Sequence, residues 1–261
     1  MVIGVGGMGQ AIAQRVGPGA RLLVADFNQE LLESVSGRLR GEGYEVTSAV
    51  VDVSSRESVA ALARRAASLG EVRSVVHTAG LSPVQASVPA ILAVDLLGVA
   101  LVLEEFAEVV AAGGAGVVIA SMAGHFRAGF GQEEARQLAT TPADELLSLP
   151  ITAQANFPDS GSAYAYAKSA NLLRVQAAST AWGARGARIN SISPGVIATP
   201  MGQAELSGEH GAAMQMMIDA SNAKRAGSPP TSPRPRTSCS ARPRASSPAP
   251  TCSSTAAWSP R

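Results

Sequence analysis

Six short apolar runs alternate with stretches of helical periodicity along the first 227 residues, and this alternation leaves few architectures open. The runs are "VIGV" (2–5), "RLLVA" (21–25), "EVTSAVV" (45–51), "VRSVVH" (72–77), "GVVIA" (116–120) and "ARINSIS" (187–193). Between them lie "MGQAIAQRV", "NQELLESVSGRLRGEG", "SRESVAALARRAASLG", "PAILAVDLLGVALVLEEFAEVVAAGG" and "SAYAYAKSANLLRVQAASTAWGARG". The runs are nearly continuous rather than alternating, as strands of a parallel sheet covered on both faces must be. Repeated βα units of this kind predict one α/β domain built on a doubly wound parallel sheet. Asn28 and Ser55 stand where helices are capped, and Gly41, Gly70 and Gly113 where they stop.

Composition breaks sharply after Gly227. Residues 228–261 hold eight prolines, nine serines, five arginines and no acid, whereas the body carries 16 basic against 20 acidic residues. Such a tail buries too little apolar surface to offset its ordering entropy and is expected to be disordered. It is basic, but it lacks interleaved aromatics or a repeat, so a nucleic-acid partner is not expected. Both cysteines, Cys239 and Cys252, fall in it without metal-ligand spacing, and no metal site is expected. No run approaches the length of a membrane span and no basic-then-apolar leader is visible, so the expectation is a cytoplasmic protein with no membrane partner.

The first run leads straight into "GVGGMG", with Gly4, Gly6, Gly7, Met8 and Gly9 opening a helix. Glycines here permit a tight turn and close approach of a pyrophosphate to a helix N-terminus, the signature of a Rossmann-type dinucleotide site. Glycine-rich turns also serve packing alone, so the context matters. Asp26 closes the second run, 17 residues after Gly9, where a carboxylate can bond ribose hydroxyls. Its charge would repel a 2′-phosphate, favouring NAD(H) over NADP(H). The plain alternative is a helix cap, which Asn28 serves equally well. Asp52 and Val53 end the third run, in the adenine region of such a fold or simply in a turn.

Among three tyrosines and two lysines in the whole chain, Tyr164, Tyr166 and Lys168 fall within five positions. Tyr164 and Lys168 are spaced i, i+4 and share a helix face. A phenol with a pKa near ~10 is a poor base, but an ammonium one turn away favours its ionised form. Tyr164 could then exchange a proton with an alcohol while hydride passes to a cofactor. Ser121, ending the fifth run on the same side of the sheet, can hold the substrate oxygen. Tyr166 has only Ala170 one turn on, and is read as a packing residue.

In these motifs the chain resembles the short-chain dehydrogenase/reductase family over residues 1 to about 227. Tyr164 and Lys168 match its Tyr-x-x-x-Lys, "SMAG" (121–124) its serine site, and "HTAG" (77–80) its Asn-Ala-Gly turn. "RINSISPGVIATPM" (188–201) is similar to its Pro-Gly segment. The resemblance implies an NAD(H)-dependent interconversion of a secondary alcohol and a ketone. It implies catalytic roles for Ser121, Tyr164, Lys168 and Asp95, and cofactor contacts from Ala79, Gly80, Pro194, Gly195, Ile197 and Thr199. A sugar-nucleotide epimerase or dehydratase would need a longer C-terminal domain, and a non-catalytic NAD sensor would not need the Tyr/Lys/Ser set.

Departures accompany the likeness. The glycine turn is one residue short, Thr78 replaces an asparagine, and Asp95 stands where the family carries an asparagine holding a relay water. Ser121 and Tyr164 are 43 residues apart, far more than usual. The extra segment, 125–161, is expected to lie over the active site, and similar inserts in hydroxysteroid and carbonyl reductases suggest a bulky alicyclic substrate. Residues 201–224 are expected to form a lid, with Met201, Met214, Met216 and Met217 as a candidate substrate wall or plain packing. The family would continue with a helix, a last strand and a "DGG" close. In a GC-rich gene, codons of Ser253 to Ser259 read one frame off allow Val-Asp-Gly-Gly-Val-Val. The tail is therefore natural or frame-shifted, and the usual last strand is expected to be missing. A homodimer or homotetramer is expected only with an intact C-terminus.

Overall fold

The computed structural model describes residues 1–208 and 211–229; the Pro/Ser/Arg tail from residue 230 onward, with Cys239 and Cys252, lies outside the described residues. Strands β1 (Val2–Ile3), β2 (Leu22–Asp26), β3 (Val46–Val50), β4 (Val72–His77), β5 (Val110–Ile119) and β6 (Arg188–Ile192) form one sheet in the order β3-β2-β1-β4-β5-β6. All neighbouring pairs are parallel. The order reverses between β1 and β4, which opens a crevice at the carboxyl ends of those strands. Among the described residues β6 is the last strand, at one edge of the sheet.

The helices on the β1–β3 side are α1 (Gly7–Val16), α2 (Gln29–Gly41) and α3 (Arg56–Ser68). Asn28 accepts from the Leu31 amide and Ser55 from the Ser58 amide, so both expected caps form. Next come α4 (Val88–Ile91), a π-helical turn (Leu92–Leu97) and α5 (Gly98–Ala107). The long helix expected here thus contains a π turn and ends earlier than Gly113, which lies inside β5 with φ +78°. Val110 already pairs with Val72, so β5 begins well before the expected strand at 116, across a bulge.

Adjacent residues of β1 point to opposite faces, and each meets its own core. Val2 joins Leu22, Val24, Leu32, Val35, Leu39 and Val76, whereas Ile3 joins the cluster built on α3, α5 and α8. That two-faced burial is why the strands read as continuous apolar runs. Helix α8 (Ser160–Ala184) starts at a capping box between Asp159 and Ser162 and crosses this second core. Trp182 near its end is fully buried and donates to the Leu103 carbonyl at 3.0 Å.

Part of the insert between Ser121 and Tyr164 packs into this core. Its helices α6 (Gln132–Thr140) and α7 (Ala143–Leu146) bury Leu138, Ala143 and Leu146 against α5 and α8. Arg174 of α8 donates to the Thr141 carbonyl at 2.5 Å and to Glu104 at 3.0 Å. Glu104 also pairs with Arg56 at 2.6 Å, and Arg56 reaches Glu105 and Asp144. Three elements are tied to the insert through this chain of charges. The last elements are α9 (Pro200–Leu206) and α10 (Gly211–Ala220). No helix among the described residues is long and apolar enough to cross a membrane.

Candidate active site

The glycine turn at the end of β1 is shaped by close approach of backbone. Gly4 has φ +88°, and a Cβ there would stand 2.4 Å from the Ala79 nitrogen; at Gly9 it would stand 1.9 Å from the Gly4 carbonyl. Only glycine fits either position. Thr78, the departure from asparagine, has a structural task in this turn. Its hydroxyl donates to the Gly4 carbonyl at 2.7 Å and holds the turn against the end of β4. Gly6 is different: it is exposed, and a Cβ there meets nothing within 4 Å. Gly7 faces the Thr199 side chain, so the segment after β6 closes on the turn from the other side.

Asp26 ends β2 beside this turn. Its Oδ2 accepts from the Val5 amide at 2.7 Å and its Oδ1 from the Asn28 amide at 2.9 Å. The carboxylate is thereby fixed at the turn, while Asn28 does the helix capping. Phe27, Leu31 and Val50 leave large apolar surface exposed nearby, and Val50 is the register partner of Asp26. The sequence reading missed these three; exposed apolar residues at strand ends are the signal. Asp52 accepts from the Ser54 amide and hydroxyl at 2.9 and 2.6 Å, which is the turn role, with Val53 buried behind it. Pro194 is buried and accepts from the Met122 amide through its carbonyl, Gly195 is exposed, and Ile197 bridges to Gly227. Thr199 caps α9 by accepting from the Gly202 amide at 3.1 Å.

Between β4, the π turn and α8 lies a buried charge pair. Lys168 Nζ stands 2.7 Å from Asp95 Oδ1, with the side chains 5% and 0% exposed. The same ammonium lies 5.3 Å from the centre of the Tyr164 ring. Asp95 Oδ2 accepts from the Leu81 amide at 3.0 Å. The expected water-holding residue is therefore a direct partner of the lysine. Gly80 walls the pair: a Cβ there would stand 2.6 Å from Asp95 Oδ1 and 3.2 Å from Lys168 Nζ. Burial opposes the lysine's charge, but Asp95 and then Tyr164 outweigh it and hold its pKa above the ordinary value.

Tyr164 faces this pair, and Ser121 lies close enough to its phenol to favour the ionised form. Burial pushes the phenol above its ordinary value against the pull of Lys168; Asp95 and Glu205 add to the rise, and Ser121 opposes it. Ser121 begins a 3₁₀ turn (Met122–His125), its hydroxyl accepting from the Ala123 amide at 3.2 Å. His77 is fully buried at the end of β4, and burial, then the Lys168 charge, depress its pKa to about 3. Tyr166 turns away. It packs edge-on against Phe130 and Phe157 of the insert, with ring centres 5.3 and 5.0 Å apart.

The covering elements were only partly foreseen. Ser82, fully buried in the loop after β4, donates to Glu205 at 2.5 Å, so this loop and α9 meet. Glu205 was missed because its partner is 123 residues away, a separation that no local pattern signals. Met201, Met214 and Met217 are half-buried, and Met216 is 66% exposed, so it lies outside any apolar wall.

A family profile described as short chain dehydrogenase matches residues 1–133, and one described as Enoyl-(Acyl carrier protein) reductase matches residues 132–231. The chain is 45% identical over 202 residues to short-chain dehydrogenase/reductase bsc3 of Alternaria brassicicola, covering 77% of this chain and 73% of that protein. It is 27% identical over 221 residues to D-threitol dehydrogenase of Mycolicibacterium smegmatis, covering 81% and 74%. A short chain dehydrogenase from Burkholderia cenocepacia, solved in complex with NADP, shares the fold with a TM-score of 0.66 at 21% identity, covering 88% of this chain and 84% of that one. An actinorhodin polyketide ketoreductase solved with NADPH gives 0.65 at 21% identity, covering 88% and 85%. The profile matches, the identity to bsc3 and the shared sheet together establish that the chain belongs to the short-chain dehydrogenase/reductase family of oxidoreductases.

Proposed function

We propose that this protein is an NAD(H)-dependent oxidoreductase that interconverts a secondary alcohol and a ketone. The observation that carries the reading is the cluster of Tyr164, Lys168 and Ser121 at the carboxyl ends of the strands. Tyr164 is the general acid/base: it takes the alcohol proton in oxidation and returns it in reduction. Lys168 favours the phenolate by its charge and would hold the nicotinamide ribose of the bound dinucleotide. Ser121 donates to the substrate oxygen and orients it toward the phenol. When bound, the dinucleotide supplies or accepts the hydride. The glycine turn fits its pyrophosphate, since Gly6 leaves open the space that a Cβ would fill. Ala79, Gly80, Pro194, Gly195, Ile197 and Thr199 would line the nicotinamide half, and Asp26, Asp52 and Val53 the adenosine half, with Phe27 and Val50 as apolar cover.

Two measurements test the cofactor assignment. Gly6→Ala should leave the melting temperature unchanged, because its methyl meets nothing in the fold, yet weaken NADH binding about tenfold or more. Unchanged NADH affinity would argue against a pyrophosphate at this turn. Asp26→Asn removes the charge but keeps an acceptor for a backbone amide. The preference for NADH over NADPH should fall by about tenfold, measured as the ratio of kcat/KM values. A preference for NADPH in the unmodified protein would reverse the assignment. The substrate class is tested by screening cyclic alcohols and ketones with both cofactors. The half-buried Met201, Met214 and Met217 support a bulky alicyclic ligand under α9 and α10.

A further inference from the structure

We infer that Asp95 is a positioning residue that clamps Lys168 and offsets its charge at Tyr164, so that proton abstraction by Tyr164 requires a more alkaline solution than an uncharged residue at position 95 would demand. This rests on the reading of Tyr164 as the acid/base. The carboxylate is fixed from several sides. The π turn (Leu92–Leu97) carries it, the Leu81 amide holds Oδ2, and Oδ1 sits 2.7 Å from the ammonium. The absent Cβ of Gly80 gives the pair its space and leaves no room for a bulkier wall. Both side chains are buried, so the two charges act on the phenol as a tight dipole rather than as a lone cation. A dipole stabilises a phenolate far less than an isolated ammonium does.

The other groups around the site do not restore the missing positive field. Glu205 of α9 faces the phenol with a negative charge of its own. His77 of β4 faces Lys168 but is held neutral at ordinary pH by burial and by the lysine. Ser121 carries no charge. Among the described residues Lys168 is thus the positive group whose field favours the phenolate, and Asp95 and Glu205 oppose it.

The test is the pH dependence of kcat/KM for alcohol oxidation in the wild type, Asp95→Asn and Tyr164→Phe, with NADH binding measured alongside. Asparagine keeps an acceptor for the Leu81 amide and removes the charge. The basic limb should move down by about one pH unit in Asp95→Asn, raising the rate on that limb about tenfold. Ketone reduction should lose activity at correspondingly lower pH. A purely structural role would lower the rate at every pH without moving the limb, and that outcome overturns the clamp. If Asp95→Asn does not fold, the wild type decides: the oxidation limb should lie above pH ~8, and a limb at or below pH ~7 overturns the proposal. Wild-type turnover in Tyr164→Phe would instead remove the reading on which the clamp rests. An inactive Tyr164→Phe with an unmoved limb in Asp95→Asn would remove the clamp alone.

Discussion

Tyr164→Phe is expected to lower turnover by roughly a hundred- to ten-thousand-fold, the usual worth of a positioned general acid or base. The substitution deletes one hydroxyl and keeps the ring that lies 5.3 Å from Lys168 Nζ, so the wall of the site is preserved. The ion pair of Lys168 with Asp95 does not involve the phenol, and it should persist. NADH affinity should therefore stay within a few-fold of the wild type. The expected signature is a fall in kcat with little change in cofactor Kd. The neighbouring Tyr166→Phe is the control. Its ring is held by Phe130 and Phe157, so removing its hydroxyl should leave turnover intact. Equal losses in the two variants would refute the distinction between a reacting and a packing tyrosine.

Leu138→Ala is expected to cost about 2–5 kcal/mol of folding stability, the range for emptying a fully buried leucine site. Leu138 is fully buried, and Leu146 and Ala143 of the same insert share its core. The backbone around it is also occupied, since Arg174 donates to the Leu138 and Thr141 carbonyls. Relaxation into the cavity is thus restrained, which favours the upper half of the range. A denaturant midpoint measured by circular dichroism checks this, and a loss under about 0.5 kcal/mol would mean that the insert is a surface appendage. Below the unfolding transition, turnover should remain near wild type, because Leu138 lies outside the reacting cluster.

Much of the architecture was legible because it is encoded locally. Apolar runs marked the strands, and Asn28 and Ser55 marked two helix starts through the side-chain oxygens that cap them. The spacing of Tyr164 and Lys168 put both on one helix face, and the exclusion of Tyr166 followed from the same geometry. What escaped the sequence depends on contacts between distant segments. The stretch around Asp95 is apolar on all sides, so periodicity could not separate a π turn from an ordinary helix. The Lys168–Asp95 pair, the Glu104–Arg174 link across 70 residues and the Ser82–Glu205 bond exist only once the sheet has brought their elements together. Thr78 and Asp95 looked like defects against the family pattern. In the fold, Thr78 braces the glycine turn, and Asp95 is a buried counter-charge. The packing of the insert was not legible, because a helix-like stretch between two motifs does not reveal which face of which neighbour it will cover.

Hydride exchange coupled to proton transfer at Tyr164 is the central claim, and the fate of the transferred hydrogen tests it most directly. NADH carrying deuterium at the reactive C4 position would be supplied with the ketone that the screen shows to be turned over best. The expected product is an alcohol with one deuterium on its carbinol carbon, formed with consumption of one NADH per alcohol. An alcohol without deuterium, formed while NADH is bound, would contradict it.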